Sequence, residues 1–477
     1  MLFRAILYAA ITSAVMLIPP SVGDITNGVG TAKEKSHLRS RSVVHSDRGR
    51  SDPQALKLDT VNQQSGYLDV PSGNSLFYWY FESRENPSED PVLIWLNGGP
   101  GCSSLEAILF ENGPSNMDEH SNITYNPYSW NEVANVLYID NPAGVGFSLD
   151  SDAVSDTATA SDDFKGAIKA FYLENPHLKN NSLHLSGESY AGRYIPVFAE
   201  AVNTDDSSPV KITSVMIGNG EVNPVAVYQS YQPMLCGKGG YPPVLNETDC
   251  ERLKQETFTC VDAMTQCMNE LTDQLCLYAQ AVCANVQAPV TYANPYDIRS
   301  PTCQSTKTGT CYPAMDKVQD YFNQEDVQSA LGANADGEEP YRICNTQIQN
   351  DFYSTNDPFE PSFHNVTNLL EQGTPVLIHN GDSDLVINWL GSRQWTYELE
   401  WKGQPGFQKA SREPHDWKPE GQDGKKRGEI TNYENFTFLR VADAGHMVPH
   451  DQPESAAYMV KAWISGDYAF TRNYGSI

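Results

Sequence analysis

Six short apolar runs recur along the chain, at 91–96, 135–139, 183–186, 214–217, 375–379 and 436–441. Most of them do not alternate apolar with polar residues, as strands buried on both faces would not. Stretches of helical character separate several runs, for example 161–172. This alternation predicts an α/β fold around a central, mostly parallel sheet. Between 222 and 350 the pattern lapses. That segment is rich in Cys, Gln, Pro and Tyr, shows no buried strand, and offers only short helices within 261–284. It reads as an inserted cap lobe between the fourth and fifth strands, stapled by disulfides because its own core is small. The core around the sheet is then split into 51–221 and 351–477. The segment 402–430 is polar, carries Lys425-Lys426-Arg427, and reads as an exposed loop.

One unit joins a strand to a helix with chemistry at the turn. The run Leu183-His184-Leu185-Ser186 meets Gly187-Glu188-Ser189-Tyr190-Ala191-Gly192, and 194–199 continues as a helix. A serine on so sharp a turn is lifted out of the fold at the end of a strand. A loop serine or a helix N-cap would look similar. The strict pattern Gly-x-Ser-x-Gly also has Ala191 in its last position, so support must come from elsewhere. In open α/β sheets, functional groups gather beyond the carboxyl ends of the strands. The fifth run leads into Asn380-Gly381-Asp382-Ser383-Asp384, and the sixth into Asp443-Ala444-Gly445-His446. Ser189, Asp384 and His446 thus stand in the chain order of an α/β-hydrolase triad, with Asp382 and Asp443 as nearby competitors. The chemistry needs all three: an imidazole to take the weakly nucleophilic hydroxyl's proton, and a carboxylate to hold that imidazole. The first run leads into Asn97-Gly98-Gly99-Pro100-Gly101, more glycine than a turn requires. Gly99 and Tyr190 would supply backbone N–H groups to an oxyanion.

Composition narrows the setting. The net charge is −28, which argues against a nucleic-acid partner. Residues 1–23 have the form of a signal peptide: Arg4, an apolar stretch from Ala5 to Ile18 too short to span a bilayer, then small residues at 21–23. Residues 24–50 are basic and nearly free of aromatics, either a pro-segment or a disordered arm. No further membrane span is evident. The chain has 10 cysteines. An even count behind a signal segment argues for disulfides, and the absence of any Cys-x-x-Cys pair argues against a zinc ribbon. Asn122, Asn180, Asn246, Asn365 and Asn435 lie in glycosylation sequons. All this fits the secretory pathway.

Four blocks together, 95–104, 187–192, 217–220 and 445–449, resemble the serine carboxypeptidases, close to the vacuolar or extracellular members of fungi and yeasts, of the carboxypeptidase Y or carboxypeptidase S1 kind. The resemblance runs from about residue 60 to the C-terminus. It implies the α/β-hydrolase fold, a triad of Ser189, Asp384 and His446, and an oxyanion site at Gly99 and Tyr190. Asn97, Gly98, Glu111 and Glu188 would bind the substrate's terminal carboxylate, with Glu106 the alternative to Glu111. It also implies the pairs Cys102–Cys344, Cys236–Cys250, Cys260–Cys283, Cys267–Cys276 and Cys303–Cys311. No cofactor or metal is implied, and the partner is the C-terminus of a peptide or protein.

Glutamates can bind an anion only if they share a proton. Glu188 and Glu111, buried together, should have at least one raised pKa. The expected activity is therefore release of single C-terminal residues through an acyl-enzyme on Ser189, favoured in acid. An acyltransferase or a general esterase on the same fold is the alternative. A glutamate clamp beside the serine argues against a lipase.

Overall fold

Ten strands form one twisted sheet in a computed structural model that describes residues 51–333, 340–419 and 424–472. The expected signal peptide (1–23) and basic arm (24–50) lie outside the described residues. In chain order the strands are β1 (Gln63–Asp69), β2 (Ser75–Phe81), β3 (Val92–Leu96), β4 (Ser115–Met117), β5 (Ile123–Tyr125), β6 (Asn135–Ile139), β7 (Leu183–Glu188), β8 (Ile212–Gly218), β9 (Val376–Gly381), β10 (His415–Trp417), β11 (Gly428–Tyr433) and β12 (Phe436–Val441). The main sheet runs β1-β2-β6-β3-β7-β8-β9-β12-β11-β10, and β4 and β5 make a separate hairpin. All neighbours from β6 to β12 pair in parallel, while the two ends are antiparallel.

The six apolar runs are the six parallel strands β3, β6, β7, β8, β9 and β12. Their continuous hydrophobicity has a plain cause: successive side chains enter different cores. Val92, Ile94 and Leu96 pack on one face with helices α2 (Thr157–Glu174) and α3 (Ala191–Thr204), whereas Leu93 and Trp95 pack on the other. The sequence reading omitted the antiparallel strands. For β1 the cause is its polar, glycine-containing sequence. β2 carried a usable signal, since Leu76–Phe81 are all apolar and all buried.

Between β8 and β9 the chain is helical. Helices of Glu247–Glu270 and Asp273–Gln287 replace the short ones expected within 261–284. Leu271 turns between them in a left-handed conformation, φ 46°. Cys260 and Cys267 face Cys283 and Cys276 across this helical hairpin and are bonded to them. Each pair of cysteines is seven apart, two turns of one face, a spacing that hid two long helices inside a polar sequence. Disulfides also join Cys236 to Cys250, Cys303 to Cys311, and Cys102 to Cys344, so all ten cysteines are paired. The hairpin has its own small core around Leu253, Met264 and Tyr231. The later helix Pro313–Phe322 instead buries Met315, Val318 and Phe322 in the core under the sheet.

The segment 402–430 is not simply a loop. It contains a helix, Gln404–Ala410, and the edge strand β10. Phe407 stacks near Phe436, ring centroids 4.7 Å apart, and Trp417 is buried. Such sparse aromatic anchors give a polar segment no readable period. Lys426 is held by Asp416 at 2.9 Å and Glu429 at 2.7 Å.

Candidate active site

Ser189 sits between β7 and α3 with φ 62°. A left-handed conformation disfavours a side chain by about 1 kcal/mol or more, so the surroundings must hold it. They do so through the backbone. Ser189 N–H donates to Gly218 O at 3.1 Å, and Ser189 O accepts from Gly192 N–H and Glu221 N–H, each at 2.9 Å. Glycine is required on both sides of the turn. A Cβ on Gly192 would lie 2.6 Å from the carbonyl carbon of Gly220, and one on Gly98 would lie 2.7 Å from Ser189 Cβ. Ser189 is half-exposed while Glu188 and Tyr190 are buried, so the turn presents the hydroxyl alone.

The loops after β9 and β12 bring Asp384 to His446. His446 Nδ1 lies 2.9 Å from Asp384 Oδ2. Asp384 is fully buried and is held by three further donors: Asn219 Nδ2 at 2.7 Å, and the N–H groups of Val386 and Ile387 at 3.1 and 3.3 Å. Of the competitors, Asp443 is exposed and Asp382 is engaged elsewhere. Asp382 accepts from Tyr241 Oη at 2.6 Å and Arg440 at 3.1 Å, and from the N–H of Asp443 at 3.0 Å.

A cluster of carboxyls lies on the other side of Ser189, around the β3 loop. Trp95 Nε1 donates to Asn97 Oδ1 at 2.5 Å and so fixes the amide's orientation. Asn97 Nδ2 then donates to Glu106 Oε1 at 2.7 Å and to Glu111 Oε1 at 3.4 Å. Glu111 is hydrogen-bonded to Glu188. Burial pushes Glu111 up to about 7, against the pull of its hydrogen bonds from Glu188 and Asn97. Burial, reinforced by Glu111 and Glu106, holds Glu188 well above the usual carboxylate range. Glu106 is raised by burial and by Glu111. Glu106 and Glu111 each keep one buried oxygen without a partner. Carboxyls packed this closely hold protons at pH values where free ones are ionised.

A cavity of about 500 Å³, its open mouth included, joins these parts. Asn97, Gly98, Gly99, Glu188, Ser189 and His446 line it. Asp384 stands behind His446, and Glu111 stands behind Asn97 and Glu188. Tyr190, the first residue of the following turn, has its backbone N–H against Gly98. Glu106, given only as an alternative in the sequence, lines the cavity alongside Glu188.

Other residues at the site escaped the sequence reading. Asn219 belongs to the block 217–220, just beyond a strand, and that position is signal enough to ask its role. Tyr296 gave none: it comes from the irregular insert. Its carbonyl accepts from His446 N–H at 2.8 Å, and its ring lies 5.3 Å from the imidazole, centre to centre. The neighbouring Pro295 O accepts from both Leu385 and Val386 N–H, so the insert clamps the Asp384 turn. Among the described residues no cluster of His, Cys, Asp or Glu is arranged to hold a metal ion. No helix there is long and apolar enough to cross a membrane. Of the sequons, Asn122, Asn180 and Asn246 are exposed, although Asn122 Nδ2 donates to Asp118 at 2.8 Å and Asn246 Nδ2 to Asp249 at 2.7 Å; Asn365 Nδ2 donates to Glu200 at 2.8 Å, and Asn435 Nδ2 to the carbonyls of Leu370 and Thr374, both at 3.2 Å.

Comparison with known proteins agrees with this geometry. Residues 53–466 match the serine carboxypeptidase family as a whole. Carboxypeptidase Y of Komagataella phaffii is 44% identical over 425 residues, covering 88% of this chain and 79% of that protein. Carboxypeptidase Y of Candida albicans is 42% identical over 467 residues, covering 97% of this chain and 83% of that one. A vacuolar serine-type carboxypeptidase of Saccharomyces cerevisiae is 41% identical over 424 residues. The crystal structure of a prohormone-processing carboxypeptidase from Saccharomyces cerevisiae superimposes with a TM-score of 0.73 at 24% identity, covering 85% of this chain and 92% of that one. The sheet is thus that of the α/β-hydrolase fold, and the chain belongs to the serine carboxypeptidase family.

Proposed function

We propose that this carboxypeptidase releases single residues from peptide C-termini through an acyl-enzyme on Ser189, and does so best in acid. The observation that carries the reading is the buried cluster of Glu106, Glu111 and Glu188 gathered around Asn97 beside a half-exposed serine. A protonated Glu188–Glu111 pair, with Asn97 and the Gly98 N–H, can donate hydrogen bonds to a terminal carboxylate. Anchored there, the peptide lays its last amide bond over Ser189. His446 takes the hydroxyl proton while Asp384 holds the ring and balances its charge. The Gly99 and Tyr190 N–H groups receive the oxyanion. His446 then returns the proton to the departing amino group, and the terminal residue leaves. Water, activated by the same imidazole, hydrolyses the ester on Ser189 and frees the shortened peptide.

The test is product analysis on one mixed-sequence peptide, free and C-terminally amidated, with Ser189→Ala as control. Stepwise loss of single residues from the free peptide, slow turnover of the amide and a dead variant are expected. Internal cuts, or an active Ser189→Ala, would overturn the reading. The exposed sequons, the five disulfides and the vacuolar relative support passage through the secretory pathway to the vacuole or cell exterior. A shift in mass of the protein from its native host on deglycosylation checks that placement.

A further inference from the structure

A second recess lies on the opposite flank of Ser189 from the carboxyl clamp. The clamp loop follows β3, and β3 is one neighbour of β7 in the sheet. The other neighbour is β8. Directly beyond β8 stands Glu221, whose N–H is bonded to Ser189 O at 2.9 Å. A peptide with its terminal residue anchored on the β3 side and its last amide bond over Ser189 would carry its preceding residue toward the β8 side. There Glu221 lines a recess of about 400 Å³, open mouth included, with Tyr228, Tyr353 and Phe359 among its walls. Glu221 is the one charged residue lining it among the described residues.

The carboxyl of Glu221 is poorly provided for. The residue is 5% exposed and its Oε2 has no partner. The nearby cation, Arg193, is directed elsewhere: its guanidinium faces Asp357 at 3.4 Å and Glu360 at 3.3 Å. Among the described residues no cation stands within ion-pairing distance of Glu221. Three carboxylates thus surround one guanidinium, and the local balance is negative. Burial pushes Glu221 up to about 7 despite Arg193, so an arriving cation would draw the proton off. Aromatic walls ending in a lone carboxyl suit a long aliphatic stem with a positive head.

We propose that this recess receives the side chain of the residue preceding the scissile bond, and that Glu221 selects lysine or arginine there. The inference rests on the carboxypeptidase reading above. The test is a competition at neutral pH between two free-acid peptides that differ only in a penultimate lysine or norleucine. Wild-type enzyme should consume the lysine peptide about tenfold faster or more, the worth of one charge-assisted contact. In Glu221→Gln that ratio should fall towards one. Each ratio is internal to its tube and so does not depend on how much folded variant is recovered. If the variant yields no activity, the wild-type arm decides alone. A third peptide, with lysine one residue further upstream, controls for the protein's general acidity and should show no such advantage. Equal consumption of the first two peptides, or an equal advantage for the third, overturns the assignment of the recess. Failure to shorten any of the peptides would instead sink the carboxypeptidase reading.

Discussion

Glu188 and Glu111 can greet an anion only while a proton lies between them. Burial supplies it, pushing Glu111 up to about 7 and Glu188 well above the usual range. A raised carboxyl is protonated below its pKa, so the proposed clamp would be intact in acid and would be lost as pH rises through about 7, where Glu111 ionises. KM for free-acid peptides should therefore climb above neutrality, approaching tenfold per pH unit, while KM for amides or esters stays flat. Glu188→Gln should flatten the rise for free acids, because glutamine keeps a donor that cannot ionise. Steady-state kinetics from pH 5 to 9 decide this. Parallel KM profiles for free and blocked substrates would contradict a protonated clamp.

The strand–turn–helix element works because three backbones meet where only glycine fits. Gly98 packs against Glu188 O, Ser189 and Tyr190 N–H. A methyl group there must push the β3 loop away from the turn, and with it the Gly98 and Gly99 N–H groups. A shift of about 1 Å in such a donor loses on the order of a hundredfold in rate. Gly98→Ala should thus lower kcat/KM by about that factor while leaving the far-ultraviolet circular dichroism unchanged. Near-normal kcat/KM in a folded Gly98→Ala protein would mean that this loop does not define the oxyanion site.

At the scale of the whole molecule, buried acids make stability a function of pH. Glu106, Glu111, Asp140, Glu188 and Glu221 all have carboxyls raised by burial. Each raised acid binds its proton more tightly folded than unfolded. Its contribution is complete below the ordinary carboxylate range and is lost as pH rises through its raised pKa, about 7 for Glu111, Asp140 and Glu221. His184 and His379 act in the opposite sense. Burial lowers them to about 4 and about 3, so their contribution fades as pH falls below about 6.5. Five acids outweigh two imidazoles, and relief of the −28 net charge adds to the acids' side. The Tm should be several degrees higher at pH 5 than at pH 7.5. A calorimetric scan showing the reverse order would refute this balance.

The parallel half of the sheet was legible from the apolar runs alone, because a strand buried on two faces must be apolar throughout. Ser189, Asp384 and His446 were legible for a related reason: each follows such a strand, and strand ends converge in a parallel sheet. Edge strands, the helices of the insert and the 402–430 segment were not. Their side chains answer to partners far away in sequence, such as Phe407 on Phe436 or Cys260 on Cys283. The same holds within the site. Nothing local to Tyr296 or Glu221 marks it as belonging beside Ser189. Only the packed chain decided that Tyr296 would hold His446, that Glu106 would enter the cavity, and that Glu221 would be buried without a counter-ion. Strand order and burial set those relations, and both are properties of the folded chain as a whole.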